Sequence, residues 1–421
     1  MTASVTVGID IGTTNTKVGV FTENGRQLRM VSRPTETRRM DALGISCYDP
    51  EGMWDTLHGA LREALEPLSG VRVAAIGIAS MAESGLFVER ATGRPRSPFM
   101  PWFDTCSEPQ AARIRGEADP FERFAATGLH GSFKLGLAKI LWLKENVPEA
   151  LSGGDPVWLS AAGWIAYRLT GRFACDDTLA ARTYAYRIDR REWDAPWLRH
   201  FGLSPAMFPE AVPGGRPIGT VRPELCGGAL TRDTIVAVAG HDHVAAALAV
   251  GAIRPGLVYD SMGTAETLVG TLPARPLTRE EFATGLSFGI HLAPGHYFWM
   301  GGQSASGGSV EWLRGVLGDP ELTYEEVLAL TGRAKEGPTG ILYFPYLSGS
   351  GAPAPDSRAR AAFVGIAKTH GRADLLKAAL EGTAFQLEMV KRSAERLAGS
   401  PIRRLLVVGG GTRIPLWLSV K

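Results

Sequence analysis

Two stretches of this chain share one local pattern, and that pattern limits the folds open to it. Ser4 to Asp10 alternates β-branched with small residues, Gly12-Thr13-Thr14-Asn15 is a turn cluster, and Thr16 to Phe21 returns to strand character. Glu23-Asn24-Gly25 then marks a hairpin turn. The chain therefore opens on a β-meander rather than a βαβ unit. After Pro255-Gly256 the pattern comes back: Leu257 to Ser261, the turn Gly263-Thr264, and Ala265 to Leu272. Aligning the two Gly-Thr turns puts Ser261, not Asp260, opposite Asp10. Two domains that each open on such a hairpin are expected, residues 1–251 and 252–421, facing each other across a cleft. A length of 421 residues suits two cores better than one.

The segments between the hairpins read as α/β. Glu51 to Leu68 carries Trp54, Leu57, Leu61, Leu65 and Leu68 at helical spacing. Val71 to Ala79 is a near-continuous apolar run, the mark of a strand covered on both faces. Helices are expected over Phe133–Asn146 and Ser160–Leu169, and Pro205–Pro223 reads as irregular surface chain. Ile235 to Ala239 is a buried-type strand that ends at Gly240-His241-Asp242-His243 and leads into a helix. A long helix, Arg372 to Leu397, precedes a strand at Arg404–Val408, the run Gly409-Gly410-Gly411-Thr412, and a helix start at Pro415.

Composition removes several function classes. Forty-five basic and 43 acidic residues leave a net charge of +2, which gives no electrostatic reason to expect nucleic acid or an anionic membrane as partner. The four cysteines, Cys47, Cys106, Cys175 and Cys226, form no C-x-x-C pair, so neither a zinc site nor a disulfide framework is expected. Met1 to Asp10 lacks the features of a signal peptide, and His241, Asp242 and His243 interrupt the most apolar stretch. A soluble cytoplasmic protein is the expectation.

The candidate residues fit phosphoryl transfer, which needs phosphates held by backbone N–H groups, a metal ion to spread charge, and a base at the attacking hydroxyl. Asp10 followed by Gly12, Thr13 and Thr14 offers a carboxylate suited to Mg²⁺ beside a turn that lets backbone approach an anion. The competing reading is an ordinary hairpin turn. Asp242 ends an apolar strand, where a carboxylate can take a proton from a substrate hydroxyl. On local evidence alone it could equally cap the following helix. The flanking histidines have no third ligand at useful spacing. They are expected to shape the cleft or cap the helix, which places His243 on the substrate side. Glu83 follows the strand Val71–Ala79 and could bind sugar hydroxyls. Trp102 and Asp104 suggest an aromatic wall with a hydroxyl-binding acid. Solvated or Pro-anchored loops are the alternatives for both.

Taken in order, these motifs resemble the FGGY carbohydrate kinases, the family of glycerol, xylulose, ribulose and gluconate kinases. The resemblance rests on D-I-G-T-T-N-T-K at Asp10, S-M-A-E at Ser80, P-W-F-D at Pro101, Y-R-L-T-G at Tyr167 with the following D-D-T-L-A-A-R-T, and G-H-D-H at Gly240. It continues with S-M-G-T at Ser261, S-G-G-S-V-E-W at Ser306, F-P-Y-L-S-G-S-G-A-P at Phe344 and G-G-G-T at Gly409. It implies an α/β fold of two actin-like (ribonuclease H-like) ATPase domains. It implies ATP and Mg²⁺, with Asp242 as general base and Asp10 on the metal side. Gly12, Thr13, Thr14, Gly263 and Thr264 would hold phosphates, and Gly307, Gly410, Gly411 and Thr412 would line the adenosine pocket. Glu83, Trp102 and Asp104 would touch a small-molecule sugar or polyol. A homodimer is allowed.

Departures bear on the substrate. Cys106 stands where many members have Arg, Ala82 stands where many glycerol kinases have Arg, and the segment at Ser348-Gly349-Ser350-Gly351 lacks the Glu-Arg of many members. A ketopentose such as xylulose is the favoured acceptor. Members also continue past the G-G-G motif, so an incomplete second domain is expected. The alternative reading is a nucleotide-binding remnant or regulator with little or no kinase activity.

Overall fold

The structure is a computed structural model that describes residues 3–399 and 401–421. The chain divides into two compact units, Met1–Ala245 with Gly289–Pro294, and Ala246–Phe288 with Gly295–Lys421.

The first unit is built on a six-stranded mixed sheet. Its strands are β1 (Ala3–Ile11), β2 (Asn15–Thr22), β3 (Gln27–Pro34), β4 (Val71–Ser80), β5 (Pro217–Thr220) and β6 (Ile235–His241), in the spatial order β5-β6-β4-β1-β2-β3. The opening meander pairs antiparallel, with Asp10 opposite Lys17 and Ile11 opposite Thr16. β4 runs parallel to both β1 and β6. Val5, Val7, Ile9 and Ile11 are buried at every second position of β1, the period that puts one face of a strand in the core. Helix α1 (Pro50–Leu65) starts at the N-cap Asp49 and packs on β2 and β3 through Trp54, Leu57 and Leu61. Helix α2 (Gly136–Asn146) lies in a cluster with Phe87, Trp158 and Trp197. Helix α3 (Ala161–Thr170) is capped by the Ser160 hydroxyl and packs on β4 and β6. The stretch expected to be irregular supplies β5, which adds to the sheet edge by pairing with β6. Its four residues, with Pro217 first, are too few to show periodicity in sequence.

The second unit repeats the arrangement. β7 (Leu257–Met262) and β8 (Glu266–Pro273) form the hairpin, β9 (His296–Gln303) pairs antiparallel with β8, and β10 (Arg404–Val408) runs parallel to β7. Helix α4 (Asp242–Ala249) spans the division between the units. Helices α5 (Gly307–Leu317), α6 (Arg372–Ala398) and α7 (Pro415–Val420) belong to the second unit. The expected incompleteness of this domain is not supported. Trp417 of α7 is 1% exposed, packs with Met262, Val310 and Leu380, and donates its ring N–H to the Thr383 hydroxyl at 3.1 Å. Trp417 is thus one of the best-buried side chains of the unit. No helix among the described residues is long and apolar enough to cross a membrane.

Candidate active site

Asp242 owes its position to the end of β6. The register of β6 against β4 slips between Val238 and Gly240. Gly240 has φ 118°, and a Cβ there would lie 2.8 Å from the Thr178 hydroxyl, so only glycine fits this turn. Thr178 Oγ1 donates to Asp176 Oδ2 at 2.5 Å and accepts the His241 N–H at 2.8 Å. Asp176 is fully buried, and burial pushes its carboxyl up to about 7. The Asp242 carboxylate accepts the His243 N–H at 2.7 Å and lies 3.2 Å from His241 Nε2. Its hydrogen bond goes to the adjacent amide and not to one further along the helix, so the simple helix-cap alternative does not account for it. The side chain remains 30% accessible. Enclosure by protein nonetheless pushes its pKa up to about 6; His243 pulls it down, while the charges of Asp10 and Glu83 push it further up.

Asp10 sits at the end of β1, 44% accessible, with its nearest cation, Lys17 Nζ, at 3.8 Å. Burial raises its pKa, against Lys17 and His243. The Gly12 N–H closes the turn on the Asn15 carbonyl at 3.0 Å, so it is not a free phosphate donor. Among the described residues the amides of Thr13 and Thr14 bond to no protein acceptor, and Thr14 is exposed. Thr13 Oγ1 accepts the Trp102 ring N–H at 2.8 Å, which ties the aromatic wall to the turn.

Glu83 has φ 58°, a left-handed backbone that a non-glycine residue adopts at a cost and that clusters at functional positions. Its Oε1 accepts Arg182 Nε at 2.7 Å and also Arg182 Nη2. Asp104 spends its two oxygens on the amides of Ser46 and Cys106, at 2.7 and 2.8 Å, and so holds the loop. The sequence reading missed three cations beside these residues. Arg182 lay in a quoted motif, D-D-T-L-A-A-R-T, without a role. Lys134 and Lys139 lay in or beside an amphipathic helix, where lysines are ordinarily solvated. Lys139 is instead fully buried, donates to the carbonyls of Phe133 and Lys134 at 2.9 and 2.6 Å, and is pushed down to about 7 by burial.

In the second unit the remaining candidates come together at the ends of β7 and β10. The amides of Ser306, Gly307 and Gly308 donate to the Gly263 and Thr264 carbonyls at 2.9 to 3.0 Å, which seats the start of α5 on the turn. Gly307 is thereby held against the Gly-Thr turn. Gly409, at φ 108°, brings the glycine run onto the end of β7: a Cβ would lie 2.5 Å from the Met262 carbonyl. Gly410, Gly411 and Thr412 follow in a short turn, Gly410–Arg413, with Thr412 Oγ1 bonded to the Gly409 carbonyl at 2.7 Å.

Among the described residues, no three His, Cys, Asp or Glu side chains assemble a metal cage. Asp10 is an accessible carboxylate close enough for its charge to act on Asp242, beside the amides of Thr13 and Thr14. Such a donor set suits Mg²⁺, which takes one or two carboxylates and completes its shell with phosphate oxygens and water.

Residues 5–249 match the N-terminal domain of the FGGY family of carbohydrate kinases, and residues 258–421 match its C-terminal domain. A glycerol kinase of Thermus brockianus is 32% identical over 99% of this chain and 84% of its own length. A xylulose kinase of Lactococcus lactis subsp. lactis is 29% identical over 97% of this chain and 80% of its own length. The crystal structure of a xyloylose kinase from Brucella ovis superposes with a TM-score of 0.89 at 26% identity, covering 99% of this chain and 84% of that one. With both family domains matched in order across the fold described above, the chain belongs to the FGGY family of carbohydrate kinases, whose members phosphorylate sugars and polyols with ATP.

Proposed function

We propose that this chain transfers the γ-phosphoryl group of ATP to a hydroxyl of a sugar, polyol or sugar acid, with Asp242 as the general base. The substrate O–H proton passes to the Asp242 carboxylate as its oxygen bonds to the γ-phosphorus. The bond from that phosphorus to the β–γ bridging oxygen breaks, and ADP leaves. The observation that carries this reading is the Asp242 carboxylate, accessible, held by the His243 amide, and raised to about 6. A base of that pKa is ionised at neutral pH yet basic enough to share a proton in the transition state. Asp10 would hold Mg²⁺, which spreads charge on the phosphates when bound. The amides of Thr13 and Thr14 would donate to phosphate oxygens. Thr264 would do the same in the second unit, where the Gly263 N–H closes the turn on the Ala265 carbonyl at 3.0 Å as Gly12 does in the first, with Gly307, Gly410, Gly411 and Thr412 lining the adenosine side.

Trp102 supplies a flat wall for an acceptor, and Glu83 and His243 lie on the same side of the first unit. A ketopentose such as xylulose and the sugar acids of similar size both present hydroxyls to such a base. The test is ADP release across a panel of polyols, ketopentoses and aldonates. At least one acceptor is expected to work, and Asp242→Asn is expected to lower kcat about a hundredfold or more while ATP affinity changes little. Near-normal turnover by Asp242→Asn would remove the base assignment. No turnover of any acceptor by the wild type would favour the nucleotide-binding regulator.

A further inference from the structure

Lys134 is a cation of the candidate site that forms no ion pair among the described residues. Its Nζ lies 5.3 Å from the centroid of the Trp102 ring. The carboxylates around it have other partners: Glu83 gives Oε1 to Arg182 and acts on Lys134 only at longer range, and Asp104 holds the Ser46 and Cys106 amides. Lys139, the neighbouring lysine, has two carbonyls of its own. Among the described residues Lys134 Nζ makes no ion pair within 4.0 Å, and only its backbone N–H, bonded to Ser132, has a side-chain acceptor. Burial lowers its pKa, with Glu83 opposing and Arg182 adding to the shift. Arg182 sharpens the imbalance: its Nη1 is buried without an acceptor, and the residue is 7% exposed. An aromatic face attracts an ammonium but does not accept its three N–H bonds. A half-buried ammonium with open donors against the proposed sugar wall favours an anionic ligand and disfavours a neutral one, which would desolvate the charge without pairing it.

We propose that Lys134 binds an anionic group on the acceptor, and that the acceptor is therefore a sugar acid, its carboxylate at Lys134 and a hydroxyl at Asp242. The proposal rests on the kinase reading and narrows its acceptor. A neutral ketose would offer the Lys134 ammonium no opposite charge. The terminal phosphate of ATP carries the same anionic oxygen chemistry, so the test separates the two sources.

Aldonates of four to six carbons are compared with the polyols and ketoses of equal length by coupled ADP release, for the wild type, Lys134→Gln and Lys134→Arg. The best aldonate is expected to exceed its best neutral counterpart at least tenfold in kcat/KM. Lys134→Gln should lower the aldonate-to-neutral ratio about 10- to 100-fold, the scale of one charge-assisted hydrogen bond, chiefly through the KM for the aldonate. Lys134→Arg should restore part of it, and the KM for ATP should stay within threefold. Melting temperature and ATP titration show whether each variant is folded, and aldonate titration of the wild type gives binding without turnover. A neutral acceptor preferred by the wild type, with turnover still dependent on Asp242, overturns the anion assignment and leaves the kinase reading standing. A rise in KM for ATP in Lys134→Gln, with the acceptor ratio unchanged, assigns the lysine to phosphate instead. No turnover and no aldonate binding sinks both readings.

Discussion

The two Gly-Thr hairpins share a backbone and differ in where they put their carboxylates. In the first, Asp10 stands at the last pair but one, opposite Lys17, and is 44% accessible. In the second the equivalent position is Ser261, opposite Thr267, and the acid has moved one residue back to Asp260. One step along a strand turns a side chain to the other face. Asp260 is accordingly 0% exposed and lies 3.2 Å from Lys421 Nζ. At the position matching Thr16, the second hairpin has Glu266, also 0% exposed, which accepts from Ser306 at 2.5 Å and Gln303 at 3.1 Å and pairs with Lys421. Thr16 meets the Thr35 hydroxyl, at 3.1 Å. One step along the strand thus separates an accessible carboxylate, proposed above for the metal side, from the buried Asp260.

The largest expected effect is structural. Glu266→Ala strands part of the charge on Lys421 and two buried donors, and should destabilise the second unit by about 3–5 kcal/mol, the cost of breaking a buried pair from one side. Thr16→Ala removes one neutral hydrogen bond and should cost about 0.5–1.5 kcal/mol. Burial raises Asp260 and lowers Lys421, so each charge is already held against its desolvation cost. Urea unfolding of both variants measures the contrast. Equal losses would show that the buried network of the second hairpin carries no special weight.

The next effect is kinetic. Asp10→Asn should lower turnover about tenfold or more, as expected when a metal-side charge that stabilises the transition state is lost. The deficit should narrow as Mg²⁺ is raised. Stability should stay within about 0.5 kcal/mol, because the carboxylate is exposed and its ion pair is long. Asp260→Asn should do the reverse, lowering stability with no change in Mg²⁺ dependence. Titrating Mg²⁺ in steady-state assays of both variants, beside their melting curves, tests the assignment. An Asp10→Asn enzyme with wild-type Mg²⁺ dependence would end the metal-side role.

Much of this was legible in the sequence. β1, β2 and β10 stand close to where alternation placed them, and the 16 residues of α1 carry the expected apolar stripe. Local patterns report local structure. The site was legible only where a residue type sits at a strand end, as with Asp10, Glu83 and Asp242. Arg182 reaches Glu83 across 99 positions of chain, and Lys139 is buried by packing that helical periodicity does not encode. The support of Asp242 is equally non-local: Asp176 and Thr178 hold the His241 amide from another part of the fold. The incomplete second domain is an expectation drawn from family members that continue past the G-G-G motif; it is not supported, since residues 258–421 match the family's C-terminal domain.

The smallest effect distinguishes the open hairpin from the closed one by titration. Asp242 is raised to about 6 by enclosure, with Asp10 and Glu83 adding to the shift. A base must be ionised to act, so kcat/KM should fall on the acid side, by about twofold at pH 6 and tenfold for each further unit. Asp10→Asn removes one of the charges that raise Asp242, so the limb should move to lower pH. Asp260→Asn, whose carboxylate is tied to Lys421, is the control that should leave it in place. Stability carries the same sign. A raised carboxyl pKa means the folded state binds this proton more tightly than the unfolded chain, so the ionised form is a penalty above about 6 and none below about 4. Asp242→Asn should therefore melt above the wild type at pH 8, and the gap should close as pH falls through that window. A gap that stays constant from pH 8 to pH 4 would mean that Asp242 titrates like an exposed aspartate, and the acid limb would then have to belong to another group.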